Sequence, residues 1–161
     1  MRDCCAGRFA PARFLSARWR LGMTECVFMK KFLTYWLPVV LWAGIIFYLS
    51  GISGLASNMP VFWDVFWRKL FHAGEFGLLN LMLWRAMYYG EKTTFKKALI
   101  LSLALTVFYA ISDESHQYFV PLREARWQDV AQDCLGALVV SFVLLLAKYK
   151  NILSYRKVLS P

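Results

Sequence analysis

Three short groups of ionisable residues interrupt the long apolar runs of this chain. His72 and Glu75 are three residues apart, which puts them on one face of a helix. Asp113, His116 and Gln117 are related by steps of three and four, with Glu114 beside them. Asp129, Asp133 and Gly136 form a third stripe, and Arg123 and Arg126 lie in the segment between the second and third groups. A histidine can pass protons near neutral pH, a carboxylate beside it can orient the ring, and an arginine can hold phosphate or carboxylate. On that chemistry His116 is expected to act as acid or base, with Glu75 or Asp113 as its partner. Arg123 is expected to clamp an anion, while Lys69, His72, Glu114, Gln117, Asp129 and Asp133 line the ligand.

The elements that must position these groups are membrane helices. Of 161 residues, 59% are hydrophobic and only 18% charged, and the charges come in clumps between long apolar runs. No charge occurs from Phe32 to Trp63; further blocks run from Leu70 to Tyr89, interrupted by His72, Glu75 and Arg85, from Ala98 to Ser112 and from Cys134 to Ala147. Spans are expected at about 33–51, 69–89, 97–117 and 129–147, with Pro38 tolerated in the first two turns. The third block has too few uncharged residues to cross a bilayer. A helix of about 20 residues counted from Lys97 therefore carries Asp113, Glu114 and His116 inside it. Counting back from Lys148 does the same for Asp133, and His72 and Glu75 open the second span at the same face. Three ionisable sets thus meet at one depth, where buried charge is costly and is expected to face a bundle interior or a wet cavity.

Basic residues set the orientation. Lys30 and Lys31, then Arg85, Lys92, Lys96 and Lys97, then Lys148, Lys150, Arg156 and Lys157 mark three cytoplasmic regions. The expected fold is an all-α, four-helix transmembrane bundle with both termini cytoplasmic and the acidic layer outward. Arg68 and Lys69 are the two basic residues that this arrangement leaves on the outer side. Residues 1–28 carry five arginines and no apolar run, and read as a basic tail, a transit peptide or, as favoured here, a start assigned too far upstream. The run Met29–Leu33 has the form of a natural amino terminus. Residues 29–148 then make the membrane domain and 149–161 a basic cytoplasmic tail.

The segment Lys69-Leu70-Phe71-His72-Ala73-Gly74-Glu75-Phe76 resembles one signature of the VanZ-like family. The stretch from Ser112 through Asp113, Glu114, His116, Gln117 and Pro121 to Arg123 resembles a second, and Trp127 through Asp129 and Asp133 to Gly136 a third. Arg85 also falls where the family tends to carry arginine. Two positions depart from the pattern: Leu122 stands where the loop usually has glycine, and Val140 where a second small residue often follows Gly136. The second departure is expected to weaken a close helix contact. The family is named for a protein associated with teicoplanin resistance and has no settled reaction. The resemblance therefore implies a bacterial cell-envelope setting, a multi-pass place in the cytoplasmic membrane and a link to glycopeptide susceptibility.

Several readings stay open. The outward site binds or modifies a lipid-linked or peptidoglycan-related component, or it is a structural charge network that pins helix ends together. No resident cofactor is expected, although His72, Glu75, Asp113 and His116 have the types that zinc accepts. A transporter would need a second copy of so small a bundle, and no inverted repeat is visible. The oligomeric state is not set by the sequence. The formal charge of +9 is read as membrane anchoring, since no nucleic-acid-binding motif accompanies it and no nucleic-acid partner is expected. Cys4, Cys5, Cys26 and Cys134 have no zinc-ligand spacing and no expected disulfide.

Overall fold

The computed structural model describes residues 25, 27–52, 60–120 and 127–159, and among them the chain is all helix. Helix α1 runs Val27–Ser50, α2 Val61–Arg85, α3 Phe95–Gln117 and α4 Trp127–Leu159. Among the described residues three of these four are long and apolar enough to cross a membrane: α1, α3 and the Trp127–Lys150 part of α4. The exception is α2, which has the length, at 25 residues, but carries Asp64, Arg68, Lys69, His72, Glu75 and Arg85. It begins at Val61, eight residues before the expected start. That extra stretch is Phe62, Trp63, Phe66 and Trp67, stacked edge to face, with Arg68 paired to Asp64 across one turn at 2.9 Å.

Helix α2 is the hub, packed along α4 and α3 and, less extensively, along α1. Its buried face is Phe76, Leu79 and Leu83, which meets Val39 and Ile46 of α1 and Ala110 of α3. Because lipid offers the backbone no hydrogen bonds, such segments are stable only as helices. Helix contact is then driven by close packing and by polar groups that bond across the interface. Both devices occur between α2 and α4. A Cβ placed on Gly136 would run into the carbonyl of Ala73, so the two backbones touch where Ala73 and Gly77 face Gly136. A Cβ on Gly77 would lie 3.2 Å from both the Gly136 carbonyl oxygen and Val140 Cγ2. Val140 is thus accommodated by a glycine opposite, and the small-residue stripe belongs to α2.

The polar device is Asn80, fully buried at mid-helix. Its amide donates to the Ala137 carbonyl at 3.0 Å and to Ser141 Oγ at 2.9 Å, and Thr106 Oγ1 of α3 lies 3.5 Å from its Oδ1. Farther along, α1 is tied by Trp42 Nε1 to the Glu75 carbonyl (3.0 Å) and by Tyr109 Oη to the Ala43 carbonyl (2.6 Å).

At the opposite end from His72, α1 contains a π-helical turn, Phe32–Trp36, and α2 runs on into another, Ala86–Gly90. Pro38 follows the first turn and has no N–H to give the Thr34 carbonyl four residues back. Arg85 supplies one instead, at 3.3 Å, while its guanidinium lies over the Tyr35 ring at 5.1 Å. Lys31 and Trp36 donate to the two carboxylate oxygens of Glu91 at 2.6 and 3.0 Å. Those donors, Lys31 first, hold the Glu91 carboxyl below its ordinary range.

Candidate functional site

Where α2, α3 and α4 come together two turns beyond Asn80, the apolar core gives way to a buried polar layer. His72 occupies its centre. Its Nδ1 lies 2.6 Å from Asp133 Oδ1 of α4, and its Nε2 lies 4.0 Å from Asp113 Oδ2 of α3. The carboxylates of Asp113 and Asp133 are 1% and 2% exposed, whereas the imidazole is 25% exposed and stacks on Phe76. The acids are therefore sealed in and the ring is the member an incoming group would meet.

Asp113 has further partners. The Ser50 hydroxyl of α1 donates to its Oδ1 at 2.6 Å, and Gln117 Nε2 donates to its Oδ2 at 2.8 Å. Asp133, when ionised, accepts Nδ1–H and so fixes the tautomer in which Nε2 carries the free lone pair. Such a ring can take a proton at Nε2 and give it back, with the transient imidazolium flanked by two carboxylates. That is the arrangement general acid–base chemistry uses.

The other expected site residues are distributed around this layer. Glu75 is half-buried, within electrostatic range of His72, Asp133 and Asp113. Lys69 and Asp129, a turn farther out, form a loose, half-exposed pair at 3.7 Å. Glu114 is buried and lines an open groove of about 470 Å³ together with Ile111, Ser115, Tyr118, Phe119, Trp127 and Val130. A volume of this size is in the range of small-ligand clefts, about 300–1,000 Å³. His116 does not join His72. It faces α1, with its ring 4.1 Å from that of Phe47, and its buried Nδ1 has no hydrogen-bond partner among the described residues. Arg123, expected as an anion clamp, lies outside the described residues, as do Pro121, Leu122, Glu124 and Arg126.

A family model described as VanZ/LLP1 matches residues 23–148. The chain belongs to the VanZ/LLP1 family. No curated protein and no solved structure matches it. In this VanZ/LLP1 chain the three motif segments supply the three walls of the polar layer, one each from α2, α3 and α4. Among the described residues no group of three His, Cys, Asp or Glu side chains is placed to hold a metal ion.

Two site residues escaped the sequence reading. Ser50, 2% exposed, is the single contribution of α1 to the hydrogen bonds around Asp113. Asn80 is the lone amide in the apolar stretch Gly77–Trp84, and that isolation was its only sequence signal. Neither residue is ionisable, so neither announced itself through charge.

Proposed function

We propose that this protein crosses the bacterial cytoplasmic membrane four times, with both termini inside and the His72 layer facing outward. There it binds or modifies a lipid-linked or peptidoglycan-related envelope component. The observation that carries the proposal is the His72–Asp133 pair, a partly exposed imidazole held at 2.6 Å by a sealed carboxylate. His72 serves as the group that exchanges a proton with the ligand, Asp133 orients it, and Asp113 and Glu75 supply the surrounding carboxyl groups. Lys69 and Asp129 form the rim, and Glu114 and Gln117 complete the walls. Arg123 follows closely enough in the chain to serve as the anion clamp.

Sidedness is supported by charge. Lys30, Lys31, Arg85, Lys92, Lys96, Lys97, Lys148 and Lys150 all fall at the Glu91 end of the bundle, which the positive-inside rule assigns to the cytoplasm. As a fourth span, α2 is long enough at about 1.5 Å per residue. Of its central ionisable groups, His72 is flanked by Asp133 of α4 and Asp113 of α3, and Glu75 is half-buried. A cysteine placed at Ser115 is expected to react with an impermeant maleimide on intact cells, and one at Thr93 is not. The reverse pattern would overturn the outward orientation.

The functional test is teicoplanin susceptibility of a glycopeptide-sensitive host expressing the chain. The wild type is expected to shift susceptibility, and His72→Ala at equal membrane abundance to abolish the shift. An undiminished effect in His72→Ala would remove His72 from the mechanism. A second reading, a purely structural charge network, draws on the Ser50–Asp113–Gln117 bonds, which by themselves fasten α1 to α3. Under it the alanine variants unfold rather than fall silent.

A further inference from the structure

We infer that the His72 centre lies below the outer headgroups and takes a lipid-borne amphiphile from the bilayer side, with the ligand's chain in the groove between α3 and α4. This names the ligand class of the proposed site and rests on that reading of it. Depth can be gauged from aromatic side chains, which collect at headgroup level on both sides of a membrane. Helix α2 carries Trp67 near its outer end and, past Arg85, runs on to Tyr89. Helix α3 runs from Phe95 to Tyr118 at its C-cap, and α4 carries Trp127 and Tyr149. Trp67, Tyr89, Tyr118, Trp127 and Tyr149 are all exposed, and Phe95 lies under the Lys148 ammonium at 4.2 Å. At about 1.5 Å per residue each inner–outer pair is about 33–35 Å apart, slightly more than the roughly 30 Å of a hydrocarbon core.

The polar layer is not at the outer belt. His72 lies inward of Trp67, Asp113 of Tyr118 and Asp133 of Trp127, by about 7–9 Å along each of the three helices. Helix α1 ends at the layer, with Ser50, and so carries no outer belt. What stands within about 3 Å of the belt is the Lys69–Asp129 pair. The groove spans the same interval, with Tyr118 and Trp127 at its mouth and Ile111 and Glu114 deeper, beside Asp113. It is continuous with the apolar faces that α3 and α4 turn to the bilayer, where Phe108 and Leu135 are exposed. Ser115, one turn below Tyr118, belongs to the mouth and is within reach of headgroup water. An occupant at this depth has to bring an apolar chain, since a wholly polar solute would give up its hydration to enter. Its headgroup is then left beside Lys69 and Asp129, and the junction of head and chain meets His72.

Two measurements on the full chain in vesicles of phosphatidylglycerol and phosphatidylcholine test this. The first places a nitroxide on Ile111→Cys, Phe108→Cys or Thr93→Cys, with the native cysteines replaced by alanine. Relaxation by oxygen, which partitions into lipid, is compared with relaxation by a water-soluble nickel chelate present on both sides. The oxygen-to-nickel ratio at Ile111 is expected several-fold above that at Thr93 and close to that at lipid-facing Phe108. A ratio at Ile111 equal to that at Thr93 means that the layer opens to water, and overturns the inference. The second places the photo-crosslinking residue benzoylphenylalanine at Ser115 or at Phe108 and weighs the irradiated protein. A phospholipid adduct is expected at both positions. Val130→Trp, which narrows the groove, is expected to cut the Ser115 adduct several-fold and to leave the Phe108 adduct unchanged. No adduct at Ser115 in the otherwise wild-type chain, or one indifferent to Val130→Trp, removes the chain from the groove. Susceptibility is a separate readout. If both measurements come out as expected while His72→Ala leaves susceptibility untouched, the lipid groove stands and the functional reading falls. If they fail while His72→Ala abolishes the effect, the functional reading stands with a ligand that arrives from water.

Discussion

Replacing Gly136 by alanine is a severe perturbation of this bundle even though it adds one methyl group. The added Cβ would overlap the Ala73 carbonyl oxygen and sit 2.7 Å from its carbon and 3.1 Å from the Ala73 Cα. These are backbone atoms, so no side-chain rotation relieves the clash. Ordinary carbon–oxygen contact, about 3.3–3.6 Å, is regained only if α2 and α4 part by on the order of 1 Å. Parting them stretches the bonds on either side of the crossing: His72 to Asp133 at 2.6 Å, and Asn80 to Ala137 and Ser141 at 3.0 and 2.9 Å. Overpacking costs about 1–3 kcal/mol and sometimes more. Interhelical hydrogen bonds in membranes average about 0.6 kcal/mol each, so the sum is about 3–5 kcal/mol. Gly77→Ala meets Val140 Cγ2 and the Gly136 carbonyl oxygen at 3.2 Å, and a small adjustment suffices, for about 1 kcal/mol. Gly74→Ala meets nothing within 4 Å and is expected to be neutral or, by helix propensity, stabilising by up to about 1 kcal/mol. Unfolding by SDS titration in mixed micelles, followed by circular dichroism, reads this ladder. If Gly136→Ala unfolds within about 0.5 kcal/mol of wild type, the close crossing of α2 and α4 is wrong and the His72–Asp133 distance falls with it.

Two further expectations follow from contacts away from that crossing. Asn80→Ala leaves Ser141 and the Ala137 carbonyl without their shared donor and is expected to cost about 1–2 kcal/mol in the same SDS titration. An unchanged transition would show that the mid-bundle amide does not join α2 to α4. Glu91, held below its ordinary range by Lys31 and Trp36, contributes stability that is present above the unfolded glutamate value of 4.5. That contribution is lost as pH falls through the lower folded value, and since the pair is exposed it amounts to at most about 1 kcal/mol. Glu91→Gln should therefore flatten the acid limb of stability against pH, and an identical limb in the variant would contradict the Lys31–Glu91 pairing.

The meeting of three ionisable groups was legible in the sequence, while the rotation of the helices that carry them was not. Charge-free lengths placed His72, Asp113 and Asp133 at one level because a bilayer demands about 20 residues per span, and the structure brings these three together. Spacing along a helix says which residues share a face but not which neighbour that face meets. His116 shares a face with Asp113 by its step of three, yet it stacks on Phe47 of α1, and His72 takes the central place. The apolar pattern starts α2 eight residues late because Asp64, Arg68 and Lys69 interrupt it. The Asp64–Arg68 pair and the aromatic ladder support helix there regardless of hydropathy. Ser50 and Asn80 stayed hidden for the opposite reason, being neutral side chains whose importance appears only when a partner from another helix is opposite them.

The most direct test of the His72 centre as a working site is the melting temperature of His72→Ala in detergent beside wild type. A group held in place for function is often kept at some cost to stability, so the variant is expected to melt close to wild type, within the roughly 0.6 kcal/mol of the lost His72–Asp133 bond. If His72→Ala instead melts early, by the equivalent of about 3–5 kcal/mol, His72 is one half of a structural ion pair and the functional account is contradicted.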